Sequence, residues 1–261
     1  FLTTGLIIYS FIVLFFAMFV FDLSGQRPYA APKSGYYTSS TAGRNYGYYI
    51  PSSYDENHPV PMFVMLHGTT QTAKSFAEAT QMNVVAEEKG FIALYPEQSV
   101  FANASRAWNW FYGVNQIRGG GEAEIIAKII RQMKEDYAID ANKVVVSGLS
   151  AGGAMAVIMA VTYPDLISGL AVASGLEFNA ALTLMGGTSA MLYGGPLATL
   201  QGKIAYNNMP SAHEKLIKML VFHGTADLVV NPINGKQIIT QMAKLHDWVD
   251  DGISNDSIND T

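Results

Sequence analysis

Along the middle of the chain, short runs that are apolar at nearly every position alternate with longer stretches where apolar residues recur every three or four positions. The short runs at 46–50, 62–66, 91–95, 143–146, 170–173 and 219–222 predict strands. The later ones lack polar alternation, the pattern of strands covered by helices on both faces. Between them, 76–89 is expected to be helical. Residues 123–137 carry Ile125, Ile126, Ile129, Ile130 and Met133 on one face, and 234–245 repeats the pattern with Ile238, Ile239, Met242 and Leu245. Strand–helix alternation of this kind predicts an α/β fold with a doubly wound, mostly parallel sheet. In such sheets chemistry gathers at the carboxyl ends of the strands. The run from Met185 to Gly195 reads as flexible and apolar, either a mobile pocket rim or an ordinary long connection.

The N-terminal residues follow a different pattern. From Gly5 to Phe21 no charge interrupts a strongly apolar stretch, and no polar face exists along it. Its length falls between a secretion signal and a spanning helix of about 17–25 residues. Residues 1–23 are therefore expected to be a signal peptide or a membrane anchor. Residues 24–40, rich in Gly, Pro, Ser and Tyr, are expected to be a linker, and 41–261 the folded domain. The chain opens on Phe1, so a basic leader segment would precede it. The expected location is extracellular or periplasmic, with membrane contact only through such an anchor.

Composition narrows the chemistry. The net charge is -5 with no Lys/Arg cluster, so no nucleic-acid partner is expected. Cysteine is absent, which excludes disulfides, thiolate metal sites and a cysteine nucleophile.

The sharpest motif is Val144-Val145-Val146-Ser147-Gly148-Leu149-Ser150-Ala151-Gly152-Gly153. It reads as a strand entering a glycine-flanked serine and then a helix. That is the sequence form of a nucleophile elbow, in which a tight turn lifts the serine hydroxyl above the sheet edge. Ser150 is the candidate nucleophile, and the backbone N–H of Ala151 is a candidate oxyanion donor. A second donor is expected from the loop His67-Gly68-Thr69-Thr70-Gln71, at Thr69 or else Thr70. Asp227, in the loop after the strand at 219–222, fits the acid that orients a histidine. The plainer account of Asp227 is a turn aspartate capping the next helix.

The general base is not legible. His58 and His213 lie in polar stretches. His67 and His223 each precede a glycine at a strand end, where an imidazole most often braces a loop. His246 falls in a terminal helix beside Lys244 and Asp247, where a solvated face explains it better than catalysis. After Asp227 there is room for one helix and a polar tail. The expectation is that the sheet is incomplete at the C-terminus. The histidine would then lie beyond Thr261, and these residues alone would be inactive.

Six segments in order carry a resemblance. They are Leu66-His67-Gly68-Thr69-Thr70-Gln71, the stretch Gly90 to Ser99, Trp108-Asn109-Trp110-Phe111, Gly120-Gly121-Glu122, Gly148 to Met155, and His223-Gly224-Thr225-Ala226-Asp227. Together they resemble the α/β-hydrolase esterases named for poly(3-hydroxybutyrate) depolymerases, a family that also includes feruloyl and acetylxylan esterases. The resemblance implies an exported serine esterase in which Ser150 is the nucleophile, Asp227 the acid, and Thr69 with Ala151 the oxyanion hole. It implies a polyester or an acylated plant polysaccharide as partner, with no metal or organic cofactor. Members often carry cysteine where Thr69 and Ala107 stand, so a disulfide is lost here but no backbone donor. Trp108 and Trp110 are candidate substrate-binding residues, since two tryptophans around an asparagine could wall an acyl chain or a sugar ring. Packing beneath the loop explains them equally well. A binding protein on a hydrolase scaffold, or a peptidase of the same fold, is the competing reading.

Overall fold

In a computed structural model of the chain, residues 34–250 are described. The apolar segment at 1–23 and any histidine after Thr261 lie outside the described residues. The strands are β1 (Gly35–Thr41), β2 (Arg44–Ile50), β3 (Val60–Leu66), β4 (Ile92–Pro96), β5 (Ile139–Leu149), β6 (Gly169–Ala173) and β7 (Lys218–Phe222). They form one sheet in the order β1-β2-β4-β3-β5-β6-β7. Strands β1, β2 and β4 are joined antiparallel, whereas β4, β3, β5, β6 and β7 run parallel. The helices are α1 (Ala73–Thr80), α2 (Met82–Lys89), α3 (Gly121–Asp136), α4 (Ala151–Thr162), α5 (Leu184–Tyr193), α6 (Ala198–Asn208) and α7 (Ile233–Asp250). The predicted α/β-hydrolase architecture is therefore the observed one. Among the described residues, no helix is long and apolar enough to cross a membrane.

Two faces of the sheet build two cores. Met62, Val64, Leu66, Ile92, Leu94, Val144, Val146, Leu170 and Val172 point to the face covered by α3 and α4. There the predicted stripe of α3 is buried at Ile126, Ile129, Ile130 and Met133, each contributing about 1.5–3 kcal/mol. Ile125, off the stripe's centre, is only partly buried. Every residue of α4 is buried, as a helix apolar on all sides must be. On the other face, Met65, Ala93 and Tyr95 pack against Ala73, Phe76, Ala77 and Ala86 of α1 and α2. At the far edge of that face, Leu220 and Phe222 of β7 are exposed.

Three local readings differ from the structure. The single helix expected over 76–89 is two, because Gln81 takes a left-handed conformation (φ 53°) between a capping box at Thr72 and Ser75 and the second helix. Residues 35–40, read as the end of a linker, belong to β1. Its polar residues hide the strand, but Ala42 (φ 53°) and Gly43 (φ 70°) make the two-residue left-handed turn that closes a hairpin with β2. The run from Met185 to Gly195 is helical as far as Tyr193, in α5, rather than a loose connection; Thr183 caps the helix, its hydroxyl accepting from the Gly186 N–H, and Gly187 and Met191 line the cleft rim.

Candidate active site

Strand β5 delivers its chain to Ser150, where φ 55° and ψ -118° form a sharp turn directly into α4. Such a conformation is strained for a residue with a side chain. Backbone bonds hold it: the Ser150 N–H donates to the Ala173 carbonyl (2.9 Å) and its own carbonyl accepts from Ala154 (3.0 Å). The flanking glycines are required by space. A Cβ on Gly148 would collide with the Gly152 carbonyl, and one on Gly152 with the Leu66 carbonyl.

Ser150 opens onto a small cleft of ≈ 80 Å³, lined also by Thr69, Ala151, Trp110, Phe111 and Leu176. Helix α5 closes its rim with Leu184, Gly187, Thr188 and Met191. Two residues that line the same cleft carry backbone donors without a partner. Neither the Thr69 nor the Ala151 N–H is bonded to any described residue, whereas the Thr70 N–H donates to Ser105 O at 2.7 Å. Of the two residues considered in the loop after β3, Thr69 is thus the one with a free donor. Thr70 carries the positive φ of 68° that turns the loop.

Asp227 lies in the loop after β7. The register Leu149–Ala173–Phe222 brings the ends of β5, β6 and β7 level, so this loop starts two strand spacings, roughly 10 Å, from Ser150. One Asp227 oxygen accepts from the N–H groups of Val229 and Val230, both at 2.9 Å. The other is 3.5 Å from His223 Nε2. The bond from Val230, then those from Ser174 and Val229, hold the carboxyl below the usual aspartate range, so it stays ionised.

None of the five histidines lines the cleft. His67 is fully buried. Its Nε2 accepts the Gln98 N–H (3.0 Å), so Nδ1 carries the proton and donates to Gly68 O (2.8 Å). Burial lowers its pKa, and it acts as the loop brace expected from the sequence. His223 Nε2 donates to Val230 O at 2.8 Å, a second brace. His58 pairs with Asp55 in solvent (2.6 Å), and His213 is exposed on a 3-10 turn. His246 corrects the sequence reading: it is not on a solvated face. It is partly buried, its pKa is lowered by that burial, and its Nε2 accepts the Ile217 N–H ahead of β7 (3.1 Å).

The tryptophans divide. Trp110, 4% exposed, forms a wall of the cleft with Phe111. Trp108 does not: it is 0% exposed, with its ring 5.5 Å from that of His67, so it is core and not a substrate contact. The pair would share a face only in an extended chain, and the turn from Asn109 O to the Tyr112 N–H breaks that geometry. Sequence reasoning also missed what fixes this loop. Buried Glu122, at the start of α3, accepts from the Asn109 N–H (2.7 Å), the Asn109 side chain (2.7 Å) and Gln98 Nε2 (2.5 Å). A glutamate after paired glycines at a helix start was the available signal. Among the described residues, no cluster could hold a metal ion.

Comparison with known proteins fits this geometry. The family model described as Esterase PHB depolymerase matches residues 44–257. A poly(3-hydroxyalkanoate) depolymerase C from Paucimonas lemoignei is 29% identical over 235 residues, covering 90% of this chain and 56% of its own length. A probable acetylxylan esterase A from Aspergillus clavatus is 28% identical over 211 residues, covering 75% of this chain and 64% of its own. The chain thus spans little more than half the length of such relatives. Among solved structures, an acetyl xylan esterase from Aspergillus awamori shares the fold, with a TM-score of 0.74 at 21% identity over 81% of this chain and 80% of that one.

Proposed function

The chain belongs to the Esterase PHB depolymerase family, and on that premise we propose that it hydrolyses carboxylic esters through an acyl-enzyme on Ser150. The Ser150 oxygen attacks the ester carbonyl. Its proton passes to a histidine that is none of the five described, held in its tautomer by ionised Asp227. The N–H groups of Thr69 and Ala151 take the oxyanion, the alcohol departs with the proton, and water releases the acid. The observation that carries this reading is a single small cleft lined by a strained serine and by two residues whose N–H donors are unpaired.

The cleft walls Trp110, Phe111, Leu176 and Met191 favour a small, apolar acyl group. A poly(3-hydroxyalkanoate), the polyester in the name of the Paucimonas relative, is the first substrate class. An acylated plant polysaccharide is the second, of which an acetylated one suits the small cleft better than a feruloylated one. Both are polymers met outside the cell, in keeping with export directed by the N-terminal segment.

Mixing the full-length protein with p-nitrophenyl butyrate should release p-nitrophenol with a burst near one equivalent, as expected when deacylation is slow. No hydrolysis at all would leave a binding protein as the better account. The cleft wall gives a second expectation. A Cβ on Gly187 would lie 3.0 Å from Phe111 and 3.2 Å from Trp110, so a longer side chain must project into the acyl space. Gly187→Leu should cut kcat/KM for the butyrate ester by about tenfold or more and for the acetate ester much less, in line with roughly 1–3 kcal/mol per misfitted methylene. Equal losses on the two esters would remove α5 from acyl selection.

A further inference from the structure

In the loop after β3, every backbone donor from Gly68 to Gln71 but one is paired. The Gly68 N–H donates to Gln71 Oε1 (2.9 Å), the Thr70 N–H to Ser105 O (2.7 Å) and the Gln71 N–H to Gly68 O (3.3 Å). The Thr69 N–H is the exception among the described residues, and Thr69 lines the cleft with Ser150. A peptide unit is planar and trans, so its carbonyl and its N–H point in opposite directions. The carbonyl that shares a plane with the Thr69 N–H is that of Gly68. It takes its shorter bond from His67 Nδ1 (2.8 Å), whereas the Gln71 N–H stands at 3.3 Å. Gly68 has no side chain to restrict its turning, so the tilt of this peptide depends on those two bonds.

The imidazole is itself fixed. It is fully buried, its ring lies 5.5 Å from that of Trp108, and its Nε2 accepts the Gln98 N–H (3.0 Å). A backbone N–H can only donate, so it forces the ring proton onto Nδ1. The Gln98 side chain is tied in turn to Ala107 O (3.0 Å) and to buried Glu122. We propose that His67 is a positioning residue, which by holding Gly68 O aims the Thr69 N–H at the oxyanion of an ester bound at Ser150. The catalytic consequence rests on the esterase reading; the orientation of the Thr69 peptide does not. An oxyanion donor is effective only when it is in place before the charge forms. Of the two ring nitrogens, only Nδ1 touches the peptide that carries the donor, whereas Nε2 ties the ring to the end of β4.

Two near-isosteric replacements separate those nitrogens. Asparagine puts an N–H where Nδ1 stands and nothing at Nε2. Glutamine reaches the Nε2 position and leaves Gly68 O with the Gln71 bond alone. His67→Gln should lower kcat for p-nitrophenyl butyrate by about 10²-fold, the scale of one lost oxyanion donor, with KM nearly unchanged. His67→Asn should keep kcat within about fivefold and yet melt at a lower temperature than His67→Gln, because it buries the Gln98 N–H without a partner. A kcat loss in His67→Asn as large as that in His67→Gln would make His67 a brace of the fold and overturn the proposal. NMR relaxation of the Thr69 amide reads the same orientation without turnover. Its order parameter should be about 0.85 in the parent and in His67→Asn, and should fall below about 0.6 in His67→Gln. One value shared by all three proteins overturns the proposal. An amide that loosens only in the glutamine variant of a protein that hydrolyses no ester would instead sink the esterase reading and leave the positioning role standing.

Discussion

Ser150→Ala should lower kcat/KM for p-nitrophenyl butyrate by about 10³-fold or more, with KM nearly unchanged, because it removes the attacking oxygen and leaves the cleft walls intact. Rate remaining in the variant would come from the oxyanion donors and from binding alone. The alternative cause of a lost rate, a damaged fold, is separable here. The turn is held by backbone bonds to Ala173 and Ala154, not by the serine side chain. Alanine meets the same left-handed strain that serine already bears at φ 55°. The melting temperature should therefore move by only a few degrees. A variant within tenfold of the parent would show that some other group attacks the ester.

That the elbow could be read from sequence has a physical basis. Gly148 and Gly152 are forced by collisions with backbone, and backbone cannot yield, so the glycine spacing survives as a readable signature. The wholly apolar strands were equally legible: β4 is buried on both faces, which leaves no room for a polar residue, whereas β7 is as apolar although Leu220 and Phe222 are exposed. What stayed hidden depends on contacts between distant segments. Trp108 and Trp110 look alike in sequence, yet the turn at Asn109 sends one into the core and the other to the cleft. His246 looks solvated beside Lys244 and Asp247, but the approach of Ile217 gives its imidazole a donor to accept. Strand β1 is polar because it is an edge, and an edge strand needs only one neighbour to form.

Glu177 carries the second large effect. It is 2% exposed, neither carboxyl oxygen has a hydrogen-bond partner among the described residues, and burial pushes its pKa up to about 8. It therefore folds as the neutral acid. A group whose pKa is higher folded than unfolded contributes its stability fully below the unfolded value, here 4.5, and loses it as pH rises to about 8. Over that window the parent protein should lose roughly 3–5 kcal/mol from this residue alone. Glu177→Gln keeps the shape and cannot ionise, so urea unfolding at pH 5, 6.5 and 8.5 should show the variant gaining on the parent by that amount. Parallel stability curves would mean that Glu177 is charged or solvated in the folded protein. The effect should reach the cleft, because Leu176 beside it lines the acyl space. On the other side, Gly195, just beyond α5, would bring a Cβ within 2.7 Å of the carboxyl. A charge forming there must draw in water or push the chain after α5 outward. Either response loosens the wall that Met191 and Gly187 build. Ester hydrolysis by the parent should accordingly fall above pH 8 while the glutamine variant holds its rate, a divergence that no group at Ser150 itself would produce.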